Sequence, residues 1–116
     1  MNRIPKNLSA LRLHDWLEGD EISPLIIDVR EDNELEIACF PFDFIHLPLS
    51  KFSDWMNHWS DDIARTQKVV VVCHSGIRSF RFGSWLIDNE WEGEVWNLEG
   101  GIDAWSVNID SDIPRY

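Results

Sequence analysis

Four consecutive valines, running straight into a cysteine, limit the possible folds of this chain more than any other stretch. "KVVVVC" (68–73) is a continuous run of β-branched residues with no polar alternation. Such a run predicts a strand covered on both faces, the usual situation in a parallel sheet. Parallel strands need long crossover connections, and the flanking sequence supplies them. "PLIIDV" (24–29) reads as a second buried strand after a turn-forming proline, "DFIHL" (43–47) as a third ended by Pro48, and "EVWNL" (94–98) as a fourth.

Helical patterns fill the intervals. Ser9 is placed to cap a helix over 11–18, and Asp32 begins a short helix through Ala38 that Pro41 stops. Ser50 is placed to cap a helix whose Phe52, Trp55, Met56 and Trp59 fall on one apolar stripe. Further helices are expected over 79–89 and, after the turn "EGG", over "IDAWSV" (102–107). Strands alternating with helices predict a single α/β domain over residues 1–116 with a mostly parallel sheet. No repeat, linker or low-complexity tract interrupts it.

Charge narrows the function. Ten Lys and Arg stand against 21 Asp and Glu, a net charge of −11, which argues against nucleic acid as a partner. The balance is uneven: 63–87 holds no acid, yet contains Arg65, Lys68, Arg78 and Arg81. The start "MNRIPKNLSALRLHDW" is polar and mixed, and no apolar run reaches membrane-spanning length. The expectation is a cytoplasmic monomer with no membrane partner. The two cysteines, Cys39 and Cys73, form no CxxC, and the four histidines have no ligand spacing with them, so neither a disulfide, a metal site nor a cofactor is expected. The seven tryptophans suggest either a stacking platform or, more simply, core packing by Trp55, Trp59, Trp85 and Trp105.

Cys73 closes the valine strand, and ligands of parallel sheets bind at such carboxyl ends. "HSGIRS" (74–79) is small, flexible or polar, and Gly76 permits a tight curl. Successive amide N–H groups in a curl ahead of a helix make a concave anion site. A thiol held there, near Arg78, is drawn toward its nucleophilic thiolate. The competing reading is an inert buried cysteine at a strand end.

At this point the chain resembles a known family. "VVVVCHSGIRS" (69–79) is similar to the active-site loop of rhodanese-type sulfurtransferases. "IDVRE" (27–31), "HLPLS" (46–50), "NLEGGIDAW" (97–105) and "IPRY" (113–116) resemble further segments of that family. The resemblance implies a rhodanese-like domain, with a central sheet of about five strands flanked by helices on both faces. It also implies a sulfurtransferase. Cys73 is then the nucleophile that takes a sulfane sulfur from thiosulfate or a persulfide and passes it to cyanide or a thiol. His74, Ser75, Gly76, Ile77, Arg78 and Ser79 become the substrate-binding cradle.

Two alternatives stay open: a cysteine-dependent phosphatase or arsenate reductase, and a sulfur-carrier or redox-sensing module without turnover. Four residues separate Cys73 from Arg78, where the related phosphatases have five, and no Asp lies in the loop as a general acid, although Asp28 or Asp103 is able to approach in space. The resemblance also has gaps. Ala38-Cys39-Phe40 replaces the family's usual Gly-His-Ile, and His74 and Ser75 stand where thiosulfate-favouring members often carry two cations.

Other residues are weighed on their surroundings. His74 suits either a pocket mouth or a solvent-facing loop, and Arg81 either broadens the basic mouth or, more simply, makes a surface ion pair. Asp28 is expected to end its strand, and Arg30 to pair with Glu31 or Glu34. Cys39, within "EIACFPF" (36–42), is expected to be a buried structural thiol.

Overall fold

The valine run forms the centre of the molecule. In the computed structural model, which describes residues 3–116, Val69–Val72 is strand β4, with all four side chains buried. β1 (Lys6–Leu8), β2 (Leu25–Asp28), β3 (Ile45–His46) and β5 (Val95–Leu98) complete a five-stranded sheet in the order β1-β5-β4-β2-β3. Every pairing is parallel.

Side-chain alternation divides the core into two. Val70 and Val72 pack with Leu13 of α1 (Ala10–Glu18) and with Ile102 and Trp105 of α5 (Gly101–Asn108). Val69 and Val71 point the other way, toward Phe82 and Leu86 of α4 (Ile77–Asp88), with Trp55 of α3 (Phe52–Trp55) packed alongside. Helices therefore cover both faces, as expected. The same period of two puts Cys73 on the α4 side. The remaining helix, α2 (Asp32–Ile37), follows the carboxyl end of β2.

Several local expectations need correction. β1 is a strand that the sequence pattern does not reveal: a three-residue edge piece held by its register against β5. The predicted Ser50-capped helix is a 3-10 turn over Leu49–Lys51 leading into only four α-helical residues. Ser50 instead turns its amide and hydroxyl to the Glu31 carboxylate. The aromatic stripe still packs, because Phe52 and Trp55 meet Trp85, and Trp59 stacks on Trp91. Cys39 is exposed, not buried: its neighbours Ala38 and Phe40 enter the core, which turns the residue between them outward.

Arg30 does not pair with Glu31 or Glu34. It folds back on Asp28, with Nε at 3.0 and 3.1 Å from the two carboxylate oxygens and Nη2 at 2.8 Å. Both residues are fully buried at the carboxyl end of β2. Burial alone would lower the Arg30 pKa, but the bonds to Asp28 more than reverse this and raise it. Breaking one side of a buried pair leaves an uncompensated charge, a loss of roughly 3–5 kcal/mol. Asp28→Asn is therefore expected to lower the unfolding free energy by that order, read as a lower urea midpoint at an unchanged slope. A loss below about 1 kcal/mol would mean that the pair behaves like an exposed one.

Candidate active site

The chain turns sharply after Val72. Gly76 takes φ +101°, and helix α4 starts at once, so Arg78 and Ser79 belong to its first turn and not to a longer loop. The buried stripe of α4 is Ser79, Phe82, Gly83 and Leu86. Ser79 therefore aims its hydroxyl inward, 3.1 Å from the Cys73 sulfur. The Gly76 amide N–H donates to the same sulfur at 3.1 Å.

Asn97 of β5 closes these contacts into a ring. Its Nδ2 donates to the Gly76 carbonyl at 3.1 Å and to Asn7 Oδ1 at 3.3 Å, which leaves Oδ1 to accept from the Ser79 hydroxyl. With that proton committed, Ser79 Oγ accepts from the Cys73 thiol. When the thiol loses its proton, the hydroxyl is able to turn and donate to the sulfur beside the Gly76 amide. Cys73 is only 1% exposed.

Helix α5 supports the curl from below. The amides of Ile102 and Asp103 donate to the carbonyls of Cys73 (2.8 Å) and His74 (3.1 Å). This contact requires Gly100 and Gly101, both at positive φ. A Cβ at position 101 would lie 2.4 Å from both of those carbonyl oxygens.

The rest of the predicted cradle is arranged differently from expectation. Arg78 does not point freely at an anion. Its guanidinium forks onto Glu34 of α2, with both bonds at 3.0 Å. Burial alone would lower the Arg78 pKa, but the Glu34 fork, with smaller contributions from Cys73 and Tyr116, raises it. Ile77 is 63% exposed, and Ser75 is exposed as well. Arg81 is exposed and makes no ion pair among the described residues, contrary to expectation.

His74 is neither free nor turned to solvent alone. Its ring stacks on Tyr116, with centroids 4.0 Å apart and planes 12° from parallel. The Tyr116 hydroxyl accepts from Arg30 at 3.1 Å, and Arg115 bonds Asp103 at 2.8 and 3.1 Å, so the segment after α5 is tied to the mouth of the site. Sequence reasoning does not find Asn97, Glu34 or Tyr116 as site residues. Asn97 carries one signal, as a lone amide in the buried stretch "VWNL"; the other two are brought in only by long-range folding.

Among the described residues, no three His, Cys, Asp or Glu side chains gather as metal ligands, and no helix is long and apolar enough to cross a membrane. The tryptophans are largely satisfied within the protein. A cleft of about 410 Å³ that includes Trp16 and Trp96 lies at the opposite end of the sheet. There Lys68 and Lys6 already cover those two rings, at 5.8 and 5.0 Å.

With this geometry in place, the relationships of the chain are clear. The family model of the rhodanese-like domain matches residues 9–108, and the chain belongs to that family. It is 37% identical over 115 residues to rhodanese-like/PpiC domain-containing protein 12, chloroplastic, of Arabidopsis thaliana. That match covers 96% of this chain but 37% of the Arabidopsis protein. It is 33% identical over 88 residues to a sulfurtransferase of Allochromatium vinosum, covering 76% of this chain and 77% of that protein. A solved rhodanese-like domain protein from Staphylococcus aureus superposes with a TM-score of 0.71 at 25% identity, covering 86% of this chain and 90% of that one.

Tyr116 is the only tyrosine in the chain, so its ionisation is readable by ultraviolet absorbance. Burial raises its pKa, and the bond from Arg30 pulls it back only in part; Glu34 also raises it and Arg78 lowers it. The folded protein should therefore titrate above the ordinary tyrosine value of about 10, and the unfolded protein at that value. Because the folded value is the higher one, the linked stability is intact below pH of about 10 and is lost as pH rises through the folded value. Titration of the native protein at or below the ordinary value would contradict the burial of Tyr116 at the mouth of the site.

Proposed function

We propose that this chain is a sulfurtransferase that moves a sulfane sulfur from thiosulfate or a persulfide to cyanide or a thiol through a Cys73 persulfide. The observation that carries the reading is the polar setting of a buried sulfur, with the Gly76 amide and the Ser79 hydroxyl both directed at it. An inert core cysteine requires neither. The similarity to the Allochromatium vinosum sulfurtransferase supports the same chemistry.

The reaction divides one transfer into two displacements. The Cys73 thiolate attacks the outer sulfur of the donor. A new S–S bond forms at Cys73 as the donor's own bond to that sulfur breaks, and thiosulfate leaves as sulfite or a persulfide as its thiolate. The acceptor then attacks the outer sulfur, becomes thiocyanate or a new persulfide, and returns Cys73 to thiolate. The Gly76 N–H and the rotated Ser79 hydroxyl hold the anion between the two steps, Asn97 orients both, and the curl of His74 to Ser79 cradles the outer sulfur.

The geometry disfavours the phosphatase or arsenate reductase alternative. Such chemistry needs a carboxylic acid near the leaving group and an arginine forked on the oxyanion. Asp28 is locked to Arg30, Asp103 is held by Arg115, and Arg78 is forked on Glu34. The bond from Arg115 also holds the Asp103 carboxyl below the usual carboxylate range.

The test is thiocyanate production from cyanide with thiosulfate or cysteine persulfide as donor. Wild-type protein should turn over with at least one donor, and Cys73→Ser should fall to the uncatalysed background. Transfer retained in Cys73→Ser would overturn the mechanism. Sulfur loading without turnover would assign the chain to the carrier class instead.

A further inference from the structure

The acid-free stretch around Cys73 makes the loop look like a receptor for anions. Around the sulfur the folded site offers no free guanidinium from Arg30, Arg78 or Arg115, because acids pair with all three. Arg78 is the loop's own cation, and Glu34 meets it with two parallel 3.0 Å bonds. Arg30, at the neighbouring strand end, is spent on Asp28 and the Tyr116 hydroxyl. Arg115 is matched by Asp103. The Glu34–Arg78 fork is partly shielded, with side chains 18% and 32% exposed, so it is screened less than a surface pair.

We propose that Glu34 is a specificity-determining residue which, by neutralising Arg78, selects thiol persulfides over thiosulfate as sulfur donors. The inference rests on Cys73 being the sulfur-carrying nucleophile. Its logic is a charge count. When the Cys73 thiolate meets thiosulfate, one negative charge meets two, and the mouth has no uncommitted arginine on Arg30, Arg78 or Arg115 to offset them. When it meets a protonated persulfide, R–S–SH, only the thiolate is charged. The thiolate attacks the outer sulfur, the R–S bond to it breaks, and R–S⁻ departs with the electron pair. One negative charge enters and one leaves, so this exchange needs no additional cation.

Glu34→Gln isolates the effect. Glutamine keeps an oxygen for the Glu31 amide, which Glu34 accepts at 3.3 Å at the start of α2, while the charge on Arg78 is released. The experiment compares kcat/KM for thiosulfate and for cysteine persulfide, with cyanide as acceptor, across a range of ionic strength. Wild-type protein should prefer cysteine persulfide by at least about tenfold, with a thiosulfate rate that rises as salt screens the repulsion. Glu34→Gln should move the donor ratio about tenfold toward thiosulfate, mainly through KM, and its thiosulfate rate should fall as salt rises. Adding Arg78→Ala to Glu34→Gln should cancel that gain.

If cysteine persulfide loads Cys73 but Glu34→Gln leaves the donor ratio within about twofold, donor selection by Glu34 is wrong while sulfur carriage stands. If neither donor loads Cys73 in either protein, sulfur carriage itself fails and the inference falls with it. Wild-type protein tests the proposal even where the variant does not fold: a preference for thiosulfate, or a steep fall of its rate with salt, overturns it.

Discussion

The backbone of the site rests on the amino end of helix α5. Two of that helix's amides, which no residue within the helix satisfies, take the carbonyls of Cys73 and His74. The approach is so close that any side chain at Gly101 would collide with those carbonyls. Once the carbonyls are fixed, the peptide planes that follow are fixed too. Gly76 turns through positive φ, its amide faces the sulfur, and α4 begins in the only direction left. The Ser79–Asn97 link then ties α4 to β5, so three elements hold a single atom.

Electrostatics is layered on that frame. In a chain of net charge −11, the acid-free segment does not leave the Arg78 guanidinium free beside the sulfur. Glu34, Asp28 and Asp103, all from other parts of the sequence, meet the arginines nearest the loop. The sulfur is left with local dipoles, an amide and a hydroxyl, where a free guanidinium was expected. Dipoles held at hydrogen-bond distance stabilise a single sulfur anion, but they do not gather a polyanion from solution.

Much of the fold is legible in the sequence because its cause is local. The valine run, the proline and glycine breaks and the helical stripes each act within a few residues, and they place β2, β4, β5, α1 and α4 within a few positions. What stays hidden depends on distant partners. β1 is three residues with no pattern of its own, stabilised by register against β5. The Glu34–Arg78 fork spans 44 residues, and the Arg30–Tyr116 bond spans 86. Cys39 misleads because apolar neighbours suggest burial, although alternation between buried Ala38 and Phe40 points it outward. The sequence pattern starts α4 two residues late, because Gly76 serves as the helix cap without any side chain to announce it.

The central claim is that Cys73 carries sulfur, and intact-mass spectrometry tests it most directly. The pure protein would be incubated with cysteine persulfide, freed of excess donor, and weighed before and after cyanide. The account predicts a gain of one sulfur atom that maps to Cys73 and disappears on adding cyanide. An unchanged mass, or a sulfur that maps to exposed Cys39 and not to Cys73, would contradict it.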